Sequence, residues 1–411
     1  MKRKGRECNG TSDHIDSIPD DLTSEILCRL PGKSLMKLQY LSKFWLSIIR
    51  SQRFIDSFFS RSLNRGSSLL ITFNNGDFTR NTKKRLFFFS ASSEGEQKSC
   101  STLVANLDMT IVSSEGEQKS SSTLVASTDN YSCRRSNLVR GFVCCSHQGR
   151  FLICNPTTRQ IVALPKTGHN KCSSIYLGYD PIDDQYKALC MTVSRGDFGD
   201  VEHKVLTLGR GDSKNLSWRE INDNTKPHIS STKGICIDGV VYYGARRPNF
   251  DKVIVCFDVR SEKISFINPP FIKRGWEPGT NLMNYKGKLA FVNTAYYPYR
   301  ERFILWILDN VEKHEWSNIR CKLPLSPSKL LSYSFIGCNK PGEIILAPQL
   351  LSHNLEPFYI LYYDVTRHDI RMVRLEGIAD NEEFRRRYGI GENGDCHVFM
   401  ASQHFDDINF L

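Results

Sequence analysis

The chain has 411 residues, of which 40% are hydrophobic, 11% aromatic and 24% charged, a composition typical of globular proteins that excludes a fibrous repeat or wholesale disorder. Its apolar runs span only a few residues, far fewer than the about 20 that cross a bilayer, so we expect no membrane partner. The formal net charge is +11, but the basic residues are scattered in short clusters, which favours a solvated surface over a nucleic-acid partner.

The N-terminal residues 1–13 are basic and polar, with no apolar stretch behind them. We therefore expect a disordered tail rather than a secretory signal, and an intracellular protein of the nucleus and/or cytoplasm.

Fourteen cysteines are spread along the chain without a single Cys-x-x-Cys pair. This spacing argues against structural zinc, and the cysteines are expected to act as small buried hydrophobic residues.

Residues 14–62 are predicted to form a small helical module. Ser17 and Asp20 frame a helix start, and Pro31-Gly32 ends this first helix. Ser34 is expected to cap a second helix, followed by a third and a shorter fourth. The apolar residues of the four helices are Leu22, Ile26 and Leu30; Leu35, Leu38 and Leu41; Trp45, Ile48 and Ile49; and Phe54, Ile55, Phe58 and Phe59. So small a unit needs a partner or a neighbouring domain to bury its apolar surface.

Residues 63–137 are predicted to be a linker with the first strands and a duplicated Ser-rich loop. Ser92–Ala105 returns as Ser113–Ala126, with 13 of 14 residues identical at an offset of 21. Two copies cannot form a solenoid, and their composition is typical of a lengthened surface loop.

From residue 138 to 411 the pattern predicts β structure with a repeat of about 50 residues. Apolar strands end at Asp258, Asp309 and Asp364, which are 51 and 55 residues apart. The turn pairs Asp238-Gly239, Lys286-Gly287 and Pro341-Gly342 precede them. Four strands in each repeat indicate a kelch-like β-propeller; a β-sandwich stays possible but does not account for the period. A helix near residues 381–387 and a late strand at 396–400, suited to closing the ring, complete the prediction.

The sequence holds no motif for catalysis, metal or cofactor binding. Gly389-Ile-Gly-Glu-Asn-Gly394 matches a dinucleotide fingerprint in letters only, because no strand precedes it, and is interpreted as a turn. The three strand-end aspartates are expected to accept hydrogen bonds from their own turns rather than to bind a ligand. We expect no cofactor and no metal, and a protein that is not an enzyme; a catalytic triad is neither excluded nor supported by counting residues.

The helical module resembles the F-box. The residues that carry the resemblance keep the spacing of the family over about 40 residues and are Ile18-Pro-Asp-Asp-Leu22, Glu25-Ile-Leu27, Arg29-Leu-Pro31, Lys33-Ser-Leu35, Leu38, Ser42, Lys43, Trp45, Ile49 and Phe54. The departures from the pattern, such as Gln39 and Leu41, are mild.

The remainder is similar to the F-box-associated domain, type three, of a large plant F-box family. The similar stretches include Arg140–His147, Cys154–Gln160, Leu177–Pro181, Ser217–Arg219 and Gly234–Gly239. The duplicated segment departs most from that pattern. The whole chain is thus expected to be an α+β multidomain protein, with a small helical F-box before an all-β, kelch-like propeller.

The resemblance implies a substrate-recognition subunit of an SCF-type ubiquitin ligase. The F-box would bind a Skp-family adaptor, and through it a cullin and a RING subunit, while the β domain would bind an unknown protein substrate. The residues that the family would place at the adaptor, or in the module's own core, are Pro19, Leu22, Ile26, Leu30, Pro31, Leu35, Leu38 and Trp45. Two alternatives stay open. One is an F-box scaffold or interaction protein without a role in ubiquitination, and the other, which the sequence supports less, is a propeller enzyme.

Overall fold

The structure is a computed structural model. The described residues are 19–66, 68–74, 85–92, 102–112, 137–147, 150–167, 171–193, 201–209, 216–221, 226–270, 276, 280–293, 302–324, 332–351, 355–378, 380–390 and 396–411. The predicted tail 1–13, the predicted cap Ser17, the second copy of the duplication and most of the Gly389–Gly394 turn lie outside these ranges.

The helical module is built from α1 (Asp20–Cys28), α2 (Gly32–Leu38), α3 (Lys43–Ile49) and α4 (Gln52–Arg65). Two of these helices are capped by serine side chains, as the helix-start chemistry requires. The Ser42 hydroxyl accepts a hydrogen bond from the Trp45 backbone N–H at 3.2 Å, and the Ser51 hydroxyl accepts one from Phe54 at 3.4 Å.

Three details of the helix prediction are wrong. The first helix already ends at Cys28, before Pro31. The second helix begins at Gly32 and not after Ser34, because Pro31 has the φ of −60° and ψ of 145° that suit a residue just outside a helix start. The fourth helix, at 14 residues, is the longest of the module and not a short one.

The β part consists of strands paired almost entirely in antiparallel order. The strands are β1 (Ser68–Asn74), β2 (Arg85–Ser92), β3 (Thr102–Val112), β4 (Asn137–Val139), β5 (Phe142–His147), β6 (Arg150–Asn155), β7 (Gln160–Ala163), β8 (Lys171–Asp180), β9 (Gln185–Val193), β10 (Val201–Leu208), β11 (Arg219–Glu220), β12 (Ile229–Ser230), β13 (Ile235–Ile237), β14 (Val240–Arg246), β15 (Lys252–Asp258), β16 (Ile264–Ile267), β17 (Leu282–Tyr285), β18 (Lys288–Asn293), β19 (Arg302–Asn310), β20 (Glu315–Lys322), β21 (Tyr333–Cys338), β22 (Ile344–Pro348), β23 (Phe358–Asp364), β24 (Asp369–Glu376) and β25 (Val398–His404).

The described strands form the six blades of a β-propeller. Blades 1 to 5 are β4–β7, β8–β11, β12–β16, β17–β20 and β21–β24, and blade 6 joins β25 to β1, β2 and β3. The inner strands β4, β8, β13, β17, β21 and β25 contact one another in a closed ring. Each of the six gaps between neighbouring blades is filled by a cluster of buried apolar side chains. The kelch-like propeller prediction is confirmed, and the late strand does close the ring.

The propeller begins at Ser68 and not at residue 138. The segment predicted as a linker with the first strands and a duplicated loop supplies three strands of blade 6, and the end of the first duplicated copy lies inside β3. In that strand Leu103, Ala105, Met109 and Ile111 are buried. The loop interpretation therefore fails for this part of the first copy. Its backbone belongs to a strand that pairs with β2, and its apolar side chains at alternating positions are buried.

The strand-end aspartates accept hydrogen bonds from their own turns, as the sequence predicts, with one exception. Asp258 Oδ1 accepts a hydrogen bond from Ser261 N–H at 2.7 Å, and Asp364 Oδ1 accepts one from Thr366 N–H at 2.8 Å. In the middle repeat, which ends at Asp309, this role passes to Asn310, which accepts from Lys313 N–H at 2.9 Å. Asp309 instead pairs with Lys288 at 2.7 Å, since a β-bulge shifts the register at this strand end.

The predicted C-terminal helix is α5 (Glu382–Tyr388), capped by Asn381. Its Phe384 packs against Phe73 and Phe89, with ring centroids 6.1 Å and 5.9 Å apart. None of the helices in the described ranges combines the length and apolarity that crossing a bilayer requires.

Deleting residues 92–112 should lower the melting temperature by about 10 °C or more, or abolish soluble expression. The second copy then takes the place of the first and restores Leu103 and Ala105, but nothing replaces the buried Met109 and Ile111 of β3. Deleting residues 113–133 is the matched control, as it removes the same length and no described strand. Differential scanning fluorimetry of both variants is the measurement. Equal melting temperatures would show that β3 is dispensable and contradict its place in blade 6.

Candidate functional site

The surface of α1 presents apolar side chains to solvent. Leu22 and Ile26 lie one turn apart on the same face and are each 53% exposed, whereas Thr23 and Leu27, about 100° further around the helix, are buried. Thr23 and Leu27 therefore face the core of the module, whereas Leu22 and Ile26, which the hydrophobic periodicity identifies, stay exposed to solvent. Exposed apolar residues at helical spacing are a form that a partner helix recognises.

A second group of exposed apolar side chains lies where α2 passes into α3. Tyr40 is 85% exposed, and Leu41 and Phe44 are at least half exposed. The Phe44 ring packs edge-on against Trp45, with centroids 5.3 Å apart. We call the two groups together, Leu22 and Ile26 with Tyr40, Leu41 and Phe44, the apolar face of the module.

The residues that the resemblance places at a partner divide between surface and core. Pro19 and Pro31 are exposed, like Leu22 and Ile26. Leu30, Leu38 and Trp45 are half-buried and pack on the module core.

Leu35 is completely buried and belongs to the module's own core, together with Phe54 and Phe58, which is one of the two places that the resemblance allows for it. Tyr40 and Phe44 were missed by the sequence argument. Neither continues a helical stripe, and an exposed aromatic residue has no periodic signal.

The module is attached to one end of the propeller, where the short turns lie. The guanidinium of Arg140, in the β4–β5 turn, sits 3.9 Å from the ring centre of Phe59 in α4 and 4.3 Å from that of Tyr179. A side chain at Gly32 would collide with Thr157 in the β6–β7 turn. Lys340, in the β21–β22 turn, donates a hydrogen bond to the Leu63 carbonyl.

Because the strands of a blade are antiparallel, the β14–β15 hairpin, whose connection is fully described, has its tip at the opposite end of the ring, away from the module. This tip is closed by the Arg247 N–H bond to the Asp251 carbonyl at 2.8 Å. It holds Phe250, 66% exposed, in the left-handed region at φ 65°. The Arg246 guanidinium lies 5.2 Å from the Phe250 ring centre. Large aromatic and arginine side chains are the types that dominate protein interfaces.

Charged groups are buried where the module meets blade 6. Lys33 of α2 forms an ion pair with Asp108 of β3, whose side chain is 1% exposed. Ser90 donates a hydrogen bond to the same carboxylate oxygen at 3.0 Å, and Arg159 donates to the Asp108 carbonyl at 3.1 Å. His404, at the end of β25, is also buried.

Burial shifts the two titrating groups of this cluster in opposite directions. Burial raises the pKa of the Asp108 carboxyl to about 6, although the charge and hydrogen bond of Lys33 and the hydrogen bond of Ser90 act to lower it. Burial lowers the pKa of His404 to about 4, with the charge of Lys33 acting in the same direction and that of Asp406 opposing it.

Elsewhere, buried polar groups serve the packing between blades. His228 Nε2 lies 3.0 Å from the Tyr243 hydroxyl, and its ring stacks on His203 with centroids 5.0 Å apart. Among the described residues no group of three His, Cys, Asp or Glu side chains is placed to hold a metal ion. Burial raises the pKa of the Cys256 thiol to about 12, so this sulfur stays protonated and packs as an apolar group.

The pKa shifts of His404 and Asp108 change the free energy of unfolding in opposite directions as the pH falls, so in the wild type each effect hides the other. The buried neutral His404 stabilises the fold above about pH 6.5, and that contribution is lost as the pH falls towards 4. Asp108, whose folded pKa is raised, stabilises the fold when protonated, and that contribution is lost as the pH rises through 6.

Between pH 6.5 and 4 the two contributions offset each other in the wild type. Asp108→Asn should therefore lose about 2 kcal/mol relative to wild type as the pH falls across this window, and His404→Gln should gain a similar amount. Urea denaturation at several pH values measures both. Parallel pH profiles for the three proteins would count against the two buried titrations.

Comparisons with known proteins cover both parts of the chain. Residues 15–57 match the F-box domain, and residues 68–404 match the F-box associated beta propeller domain. The chain is 48% identical over 410 residues to the F-box protein At1g30790 of Arabidopsis thaliana, covering 97% of this chain and 99% of that one. It is 35% identical to the F-box protein DOR of the same plant, covering 90% and 91% of the two chains.

Among solved structures, TolB from Acinetobacter baumannii is similar at 8% identity with a TM-score of 0.42, covering 82% of this chain and 66% of that one. The F-box match ends at residue 57, inside α4, the propeller match begins at residue 68, where β1 begins, and the match to the plant relatives runs through both parts. The chain therefore belongs to the plant F-box proteins that carry an F-box-associated β-propeller domain.

Proposed function

We propose that this protein is the substrate-recognition subunit of an SCF-type ubiquitin ligase. Its F-box binds a Skp-family adaptor, which links it to a cullin and a RING subunit, and its propeller binds the target protein. The observation that carries the proposal is the apolar face of the module. Leu22 and Ile26 stay more than half exposed although the module is already packed on the propeller, so a further partner is needed to bury them.

In this proposal the chain performs no chemistry itself. A conjugating enzyme held by the RING subunit transfers ubiquitin, and the receptor raises the effective concentration of the target near that enzyme. The complex works in the nucleus and/or the cytoplasm. The end of the ring opposite the F-box is free to take the target, and Phe250 with Arg246 on the β14–β15 hairpin is a candidate contact of the kind that dominates interfaces.

Replacing Leu22 and Ile26 together by Ser should weaken binding of a plant Skp-family adaptor at least tenfold, about 1.4 kcal/mol, because both side chains lose their buried contacts in the complex. The melting temperature should change little, since neither residue packs in the core. Isothermal titration calorimetry measures the affinity, with Leu355→Ser as the matched control at the opposite end of the ring. Unchanged affinity of the double variant would overturn the adaptor surface.

The same double variant should also separate target binding from ubiquitination. Proteins that bind the propeller should be retained by the variant and become more abundant in cells that express it, because no ligase is recruited to them. Phe250→Ala should release these proteins and leave adaptor affinity unchanged. The test is quantitative proteomics of the proteins that co-purify with the wild type, the double variant and Phe250→Ala. Reconstituted ubiquitination of a captured target follows. Ubiquitination that proceeds equally with the double variant would contradict a receptor role.

A further inference from the structure

The last residues of the chain, 405–411, lie between the F-box and the propeller, and we call them the C-terminal segment. Ile408 is completely buried and Phe410 half-buried, both in the F-box core. The Arg50 guanidinium of the F-box lies 5.1 Å from the Phe410 ring centre. The F-box side chains that share this core are Leu27, Cys28, Leu35, Met36, Ile49, Phe54, Ile55 and Phe58.

The propeller holds the same segment from the other side. Asn155 donates hydrogen bonds from Nδ2 to the carbonyls of Asp407 at 2.8 Å and Asn409 at 3.2 Å. Gln160 donates to the Leu411 carbonyl at 2.7 Å and accepts from the Leu411 N–H at 3.0 Å. The Leu411 side chain is buried in the core between blades 1 and 2.

The side chains of the segment contact both bodies. Ile408 and Phe410 pack on the F-box. The Asp406 carboxylate lies between the two, because it accepts one hydrogen bond from the Gly32 N–H at 3.2 Å and one from the Thr157 hydroxyl at 3.4 Å. Asp407 and Leu411 are directed to the propeller. Gly141, at φ +83°, makes room for this path, because a side chain there would meet Asp407.

An F-box of this size buries too little surface to be very stable by itself. Here its helices enclose a side chain that lies more than 300 residues away in the sequence. Removing the methyl groups of Ile408 would leave a cavity in the core that all four helices share, and the positions of α1, α2 and α3 set the apolar face.

We propose that residues 405–411 are a positioning element for adaptor binding. Ile408 completes the F-box core and keeps its helices in the arrangement that the adaptor recognises, while Asn155 and Gln160 fix the F-box in one orientation on the ring. This inference rests on the proposed function, and it makes adaptor affinity depend on the opposite end of the sequence.

The first experiment uses the full chain with Ile408→Ala and, as a matched control, Ile254→Ala, which truncates an equally buried isoleucine in blade 3. Adaptor affinity, measured by calorimetry, should fall at least tenfold for Ile408→Ala and less than threefold for the control. Hydrogen exchange should accelerate in α1, α2 and α4 of Ile408→Ala and stay unchanged in β14 and β15. Ile408→Val, which keeps most of the volume, should restore most of the affinity.

The outcomes distinguish the inference from the proposed function. A wild-type chain that does not bind the adaptor overturns the proposed function itself. A wild-type chain that binds, with Ile408→Ala binding equally well, overturns the inference alone. Equal losses in both alanine variants would mean general destabilisation, and would also overturn it.

The second experiment tests orientation separately from the F-box core. Asn155→Ala with Gln160→Ala removes the four hydrogen bonds that these two side chains form with the segment and leaves Ile408 in place. Adaptor affinity should stay within about twofold of wild type, whereas the distance distribution between a spin label on exposed Asp21 and one on exposed Asn249 should broaden. A distribution as narrow as that of wild type would overturn the orienting role.

Discussion

The pairing of β25 with β1 is the interaction on which the rest of the structure depends. The last strand of the chain becomes the innermost strand of a blade whose other strands come from its first third, and this closes the ring. The two strands are antiparallel, with His404 opposite Ser68. The helices that precede β1 and the segment that follows β25 must therefore emerge side by side at the same end of the propeller. The contact between Ile408 and the F-box core is a consequence of that register.

The junction is more polar than a stable core requires. A buried ion pair such as Lys33 with Asp108 adds little net stability, because desolvation offsets most of the attraction between the charges. It does, however, penalise any arrangement of the module that leaves one of the charges buried alone. Together with the hydrogen bond from Gly32 to Asp406, the pair favours one docking geometry. Apolar contacts alone would tolerate sliding, so in this chain the charges contribute orientation.

The sequence predicted the propeller where each blade is continuous. For the blade assembled from distant parts it predicted the closing strand and some first strands, but not that they form one blade. Blades 3 to 5 combine alternating apolar strands with turn pairs such as Asp238-Gly239, and both signals are local. Blade 6 draws one strand from the C-terminus and another from inside the duplicated segment, so no local repeat marks it. Hydrophobic periodicity found the helix α1 but not which face is open, because exposed Leu22 and buried Leu27 carry the same signal. The alternation around Ile408 and Phe410 was readable, but no sequence rule could assign its apolar face to helices at the other end of the chain.

The two ends of the ring are subject to different constraints. The module rests on turns such as Arg140-Gly141 and Thr157-Thr158, where a shift of one residue would move Arg140 away from Phe59 or Thr157 away from Gly32. Such turns cannot change length without losing the junction. At the opposite end, the connections between strands touch neither the module nor the C-terminal segment among the described residues. Lengthening a loop costs only about 0.6 kcal/mol for each doubling of its length, so those connections can change in length and sequence while the ring stays closed. One end can therefore keep a fixed geometry while the connections at the other vary, and this is the division that the proposed adaptor and target surfaces require.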